Sequence, residues 1–252
     1  MTRFLTDVAT ISRRELLRYR QERVFVLGQI LLPLVAVLVI GLGLNRPVGE
    51  VGSNVDYASF LASGVLMLVL LSGALGGGYT LIQDVQRGFL RPVLVAPVTR
   101  TSIVLGKIVA RLLLSTVLVL VLVAVLALFT GIGLPHPGIA AATLIATTFG
   151  FVAFGILIAS GLRSLESFRT VAVFLTFPLY LLSGMFFPVS TMPAPMRLMA
   201  LANPLTYAVD LFRYATTSLA ELPLWLDASV VGAIALLPTL LAIRAFETRL
   251  TD

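Results

Sequence analysis

The residues of this chain that could do chemistry are few, and their spacing excludes most reactions. There is no cysteine, which removes disulfides, a thiolate nucleophile and any thiolate metal site. The single histidine, His136, cannot supply an H-E-x-x-H pair or a His-rich cluster; set between Pro135 and Pro137, it reads as a turn residue. Gly106-Lys107 echoes the end of a P-loop, but Thr101 stands where the first glycine belongs and Ile108 replaces the Mg²⁺-binding Ser or Thr. The chain therefore carries no nucleotide chemistry of its own. It is either passive or energised through a partner.

The elements that hold these residues are set by composition. Apolar residues make up 58% of the 252 and charged residues 12%, where a soluble domain has about 45–50% and about 25%. Mean hydropathy is +1.03. So little charge cannot cover a water-facing surface, so the chain reads as an all-α integral membrane protein. Crossing ~30 Å of hydrocarbon takes ~20 apolar residues in a helix. Six stretches qualify: 24–44, 60–82, 108–131, 138–162, 170–187 and 224–246. Their apolar runs lack the alternation of a barrel strand. No cleavable signal is expected, because the first 23 residues are polar and no A-x-A site follows the first apolar run.

Charge orients the spans. With six crossings, the N-terminus, the loops 83–107 and 163–169 and the C-terminus share a side that holds, with Arg111 and Arg244 at span ends, fifteen basic residues, against Arg46, Arg197 and Arg213 on the other. The positive-inside rule puts both termini in the cytoplasm of a plasma (inner) membrane. The net charge of +6 is thus spent on orientation, and no nucleic-acid partner is expected. Segment 198–220 contains Asn203-Pro204, Asp210 and Arg213, so 188–223 is expected to form short re-entrant helices in the outer leaflet. Asp210 and Arg213, three apart, are expected to pair locally.

Before the first span, 1–23 reads as an amphipathic interfacial helix. Phe4, Leu5, Val8, Ile11 and Tyr19 share one face; Arg13, Arg14 and Arg18 are expected at anionic headgroups. Within the spans ionisable groups are nearly absent: Arg111, Asp227 and Arg244 lie about a turn from span ends, within reach of headgroups or water. Proton- or sodium-coupled transport normally needs such groups at mid-depth. The two halves share no alignable motif, which gives no support to an inverted-repeat transporter. Lipid-headgroup enzymes need clustered cytoplasmic aspartates, and Asp84 stands alone there.

The cytoplasmic segment 84–107 is too apolar for a solvated loop, and Pro92 and Pro97 break it into short pieces. Fringed by Arg87, Arg91 and Arg100, it reads as a docking surface or as a loop packed on the protein's own helices. It resembles the cytoplasmic loop of ABC-2-type permeases, the membrane subunits of ABC exporters. Asp84, Gly88, Leu90, Leu94, Pro97, Val98, Thr99, Arg100, Gly106 and Lys107 match that pattern, while Arg91 replaces its Glu and Pro92 follows. A second resemblance lies in LSGMFFPVSTMP and LANPLTYAVDLFR, through Ser183-Gly184, Phe187-Pro188, Pro193, Asn203-Pro204, Asp210 and Arg213.

The resemblance implies one transmembrane domain over 1–252, with a six-span bundle over 24–246. It implies a half-transporter that pairs with a second permease copy above two ABC ATPase chains. ATP and Mg²⁺ would be used by those partners, and no cofactor or metal by this chain. A short coupling helix around Asp84, Gly88, Phe89, Leu90, Arg91, Leu94, Pro97 and Arg100 would seat in the ATPase. Phe186, Phe187, Pro188, Asn203 and Pro204 would form an outer gate; Phe186 and Phe187 read as an apolar plug or as interfacial anchors. Gly73, Gly76, Gly77 and Gly78 offer close helix approach, at a dimer seam or within the chain. Sparse aromatics, 9% of residues, favour a hydrophobic or amphiphilic drug-like cargo over a polysaccharide or lipid-linked glycan. A non-conducting sensor or assembly partner of an ATPase is the alternative of another class.

Overall fold

The computed structural model describes residues 2–19, 23–41, 43, 55–88, 100–162 and 164–248. Among them the chain is all-helical, in the order α1 (Thr2–Tyr19), α2 (Arg23–Ala36) with a π turn (Val37–Gly41), α3 (Tyr57–Gln86), α4 (Arg100–Thr130), α5 (Pro137–Gly161), α6 (Leu165–Leu181), a 3₁₀ turn (Val189–Thr191), α7 (Ala194–Ala202), α8 (Pro204–Thr217) and α9 (Leu224–Thr248). Four stretches are long and apolar enough to cross a membrane: Tyr57–Gln86, Thr101–Thr130, Pro137–Gly161 and Leu224–Ala245. This is an integral helical membrane protein.

The core is built around α3, which is apolar on all sides and buried along most of its length. A helix with no polar face must be covered all round, and α3 packs against α4, α5, α6 and α8. Glycine sets the closest contact. A Cβ on Gly78 would lie 2.1 Å from the Gly155 carbonyl oxygen, and one on Gly77 would lie 2.7 Å from Val152. The backbones of α3 and α5 therefore touch. Gly150 does the same for α9, where the Ile234 carbonyl would be 2.2 Å from a new Cβ. Three glycines of α3 (Gly76, Gly77 and Gly78) thus serve packing within the chain, while Gly73 has open space around it.

Apolar side chains on α2, α4, α6 and α9 point outward, among them Leu32, Leu128, Phe174 and Leu237. That is the expected surface of a bundle solvated by lipid.

Several boundaries differ from the sequence expectation. The fifth apolar stretch forms a helix that begins earlier and ends earlier, Leu165–Leu181 in place of 170–187. Ser164 moves the start because its side chain caps the helix by accepting from Ser167 N–H. Gly184, at φ +72°, follows the helix in a turn. Segment 84–107 is less of a loop than expected: Asp84 lies in the last turn of α3, and α4 is already helical from Arg100. Between α6 and α9 lie α7 and α8; at 14 residues, α8 spans roughly 21 Å, short of a crossing.

Candidate functional site

At the end of α3, the start of α4 and the face of α1 laid across them, the charges converge on Lys107. Gly106 makes this approach possible: a Cβ there would stand 2.7 Å from Ile11 of α1. Ser12 Oγ donates to the Gly106 carbonyl at 2.9 Å and so fixes the register of α1 on α4. One residue on, the Lys107 ammonium donates to Glu15 Oε1 at 2.6 Å, Asp84 Oδ2 at 2.7 Å and Thr80 Oγ1 at 3.2 Å. An ammonium has three hydrogens, and all three are used. Asp84 Oδ1 takes Arg14 Nη2 at 3.0 Å, with Arg18 Nη1 at 3.5 Å. Lys107, Asp84 and Glu15 are all buried.

Bringing such charges out of water is costly unless each is paired with good geometry. Here every one of the three has a partner on another helix. The result is a clamp across α1, α3 and α4 at the base of segment 87–99.

Arg111, a turn deeper on α4, was expected to reach headgroups or water. It is buried instead, because α1 lies over it: its guanidinium carbon sits 4.4 Å from the Tyr19 ring centre. Gly76 leaves room for it, since a Cβ there would meet Nη2 at 2.5 Å.

The arginines expected at headgroups divide. Arg13 is exposed, whereas Arg14 and Arg18 turn to Asp84. Gly88 closes the end of α3 at φ +69°, its N–H donating to the Val85 carbonyl. Phe89, Leu90, Arg91, Leu94 and Pro97, and the side chain of Arg100, lie outside the described residues. Glu15, Thr80 and Lys107 are the contributors that sequence reasoning did not assign. Glu15 had a signal, an acid among arginines on the face of an amphipathic helix, but its partner lies 92 residues away.

At the other end of α3, a second buried charge cluster holds the turn after α6. Arg213 donates to the Gly184 carbonyl at 2.7 Å, Glu221 Oε1 at 3.2 Å and Ser63 Oγ at 3.3 Å, with its guanidinium carbon 3.6 Å from the Phe60 ring centre. Its nearest carboxylate is Glu221, not Asp210, which lies at 4.0 Å. Asp210 instead accepts from the Glu221 and Leu222 N–H groups, closing the α8–α9 connection. Asp227, expected to reach water, is fully buried behind this hairpin and faces Asp210. Burial pushes the Asp210 and Glu221 carboxyls above their ordinary values, although Arg213 pulls both down. Burial likewise pushes Arg213 below its ordinary value, against the pull of Glu221 and Asp210.

The predicted outer-gate residues are dispersed. Phe187 is exposed, Phe186 is partly buried, and Pro188 is buried at the head of the 3₁₀ turn. The side chain seated on the bundle at this turn is Met185, whose Cα would be 2.9 Å from a Cβ on Gly64. Asn203 is a brace: Oδ1 accepts from Leu205 N–H to cap α8, and Nδ2 donates to the Leu179 carbonyl of α6. Pro204 starts α8 at a position where its missing N–H costs nothing. His136 stacks on Tyr214 at 4.7 Å, joining the α4–α5 turn to α8.

Among the described residues, buried charges tie helices together at both ends of α3. Residues 6–216 match the family described as ABC-2 type transporter, and the chain belongs to that family. It is a permease subunit of an ABC-2 type transporter, a multi-pass membrane protein whose family implies a partner ATPase. It is 28% identical over 215 residues to "Putative transport permease ycf38" of Porphyra purpurea, covering 83% of this chain and 74% of that one. The ycf38 protein of Pyropia yezoensis is 29% identical over 214 residues, with 83% and 73% covered. "Probable multidrug ABC transporter permease YbhR" of Escherichia coli K12 is 28% identical over 166 residues, 63% of this chain and 44% of that protein.

Proposed function

We propose that this chain forms half of the translocation pathway of an ATP-driven exporter of hydrophobic or amphiphilic small molecules. In this reading 1–252 is a single transmembrane domain of the plasma membrane with six crossings. The segment of α2 and its π turn makes the first crossing and α6 the fifth; both termini are cytoplasmic, and α7 and α8 dip into the outer leaflet. Two copies pair above two ATPase chains, which use ATP and Mg²⁺. Segment 84–107 is the coupling element that seats in the ATPase, with α1 beside it at the lipid surface.

The observation that carries this reading is the Lys107 clamp. Both ends of segment 87–99 are joined to each other through Asp84–Lys107 and to α1 through Glu15 and Arg14. A displacement of that segment is therefore passed to three helices at once, which is what a permease without its own nucleotide site requires. The apolar bundle surface and the name of the E. coli relative support a drug-like cargo.

The test begins with extraction from native membranes in mild detergent. A stoichiometric P-loop chain should co-purify, and the reconstituted complex should move a hydrophobic dye only with hydrolysable ATP. If the protein emerges reproducibly alone under several mild conditions, the reading fails. Flux of a lipid-linked glycan but not of dyes would favour the polysaccharide alternative.

A further inference from the structure

Lys107 and Arg111 are neighbouring buried cations in opposite situations. Lys107 has every hydrogen engaged. Arg111 is 4% exposed, and its Nη1 has no hydrogen-bond partner among the described residues. Glu15, the carboxylate whose charge acts on it, is itself held by Lys107. The Tyr19 ring covers one side of the guanidinium, and Gly76 is kept bare to admit it. The fold thus makes room for a buried cation and, among the described residues, gives it no anion of its own. A buried charge in that condition is expensive until one arrives.

Two cavities meet near this cation. Arg111 lines a small one of about 10 Å³ with Gln29, Val69, Gly73 and Ser115, the size of about one water. A larger one of about 580 Å³ lies between α2 and α3, lined by Gln29, Leu32, Pro33, Leu68 and Ser72. The two share Gln29 and Val69 in their walls. The larger volume falls within the ~300–1,000 Å³ of ligand sites. Leu32 in its wall is 74% exposed, so the cavity opens on the outer surface of the bundle. Pro33, having no N–H, cannot bond the Gln29 carbonyl one turn back, which leaves that acceptor beside the Gln29 amide. Gly73 has open space where a side chain would project.

We propose that the α2–α3 cavity binds an anionic amphiphile drawn from the inner leaflet, its chain in the larger cavity and its head beside Gln29, bridged to the Arg111 guanidinium by a water in the small cavity. The inner-leaflet origin, and the role of this molecule as cargo, rest on the permease reading above. Arginine suits the task because its guanidinium keeps its charge when buried and its N–H groups can hold such a water. The bridge would engage the cation without disturbing the Lys107 clamp one turn away.

The test uses the full chain in phosphatidylcholine nanodiscs. One probe is a single-chain alkyl sulfonate with a diazirine in its tail; the other is the same chain ending in a primary alcohol. Crosslinked residues are mapped by mass spectrometry. The sulfonate should label α2 and α3 around Leu32 and Leu68 at least about tenfold more than the alcohol, as one charge-assisted hydrogen bond implies. Arg111→Gln should abolish that preference and Arg111→Lys should keep most of it. Gly73→Leu fills the small cavity from α3 and should reduce sulfonate labelling while the Lys107 contacts persist. If Arg111→Gln does not fold, Gly73→Leu decides. Equal labelling by the two probes, labelling confined to other surfaces, or indifference to Gly73→Leu would overturn the proposal. The assay needs no ATPase and no flux, so its failure leaves the coupling reading standing, and failure of that reading leaves the site standing.

Discussion

Replacing Lys107 by methionine removes the hub of the clamp across α1, α3 and α4 while keeping most of its volume. Asp84 would retain Arg14 and Arg18, but Glu15 would lose its hydrogen-bond donor and stay buried. Breaking a buried pair in this way costs about 3–5 kcal/mol. For a chain of this size that loss corresponds to an apparent melting temperature lower by roughly 6–20 °C. Thermal denaturation in detergent, followed by tryptophan fluorescence and limited proteolysis near α1, would read it. The double variant Lys107→Met with Glu15→Gln should recover much of the loss, because the stranded charge is gone. A Lys107→Met protein as stable as the parent, or a double variant no better than the single, would refute the argument that this ammonium holds α1 to the bundle.

Three other perturbations test the packing and the Arg213 cluster. Gly78→Ala should destabilise by about 1–3 kcal/mol or more, since its Cβ would strike the Gly155 backbone, whereas Gly232→Ala, with free space in α9, should gain about 0.5–1 kcal/mol; both are read by thermal denaturation. Arg213→Lys should lose most of what Arg213→Gln loses, because an ammonium cannot reach Gly184, Glu221 and Ser63 together while stacking on Phe60; rescue by lysine in the same assay would count against the fork geometry. The raised Glu221 carboxyl means that the folded protein holds this proton more tightly than the unfolded chain. Its contribution to stability is therefore greatest below the ordinary carboxylate range and declines as pH rises through the raised value. Glu221→Gln should flatten that slope in melting temperature against pH.

Much of the architecture was legible because lipid leaves few options. Long apolar runs such as 108–131 must be helices, and Asn203-Pro204 had to interrupt the segment after the fifth stretch. The amphipathic face of α1 was equally plain from Phe4, Val8 and Ile11. The destination of the charges could not be read. The hydropathy around Arg111 and Asp227 placed them near helix ends, where water is usually close, and only the tertiary positions of α1 and α8 cover them. Arg14 and Arg18 lie on the polar face of their helix, and nothing local says whether that face meets headgroups or Asp84, which lies 70 residues beyond Arg14. The packing of the turn after α6 was hidden for a different reason. Phe186 and Phe187 drew notice by size, while Met185 is the residue that fits, because Gly64 on a distant helix leaves space for it. The glycines of α3 signalled close approach correctly but could not name the partner helix.

The bare contact of α3 on α5 has a mechanical meaning. Where side chains interdigitate, helices can slide and re-seat in a neighbouring rotamer; where Gly78 rests against the Gly155 carbonyl, no such layer exists to shear. The pair must therefore travel as one strut, carrying α8 and α9 through their own contacts with α5. Compliance is left to the lightly packed members. These are α2, with its proline and π turn, and α6, which among the described residues is tied to α3 by the Ser72–Tyr180 hydroxyl contact at 2.7 Å and by Arg169 on the Tyr79 hydroxyl at 2.8 Å. A covalent bridge placed between α3 and α5 should then be silent, and one between α3 and α6 should act as a brake.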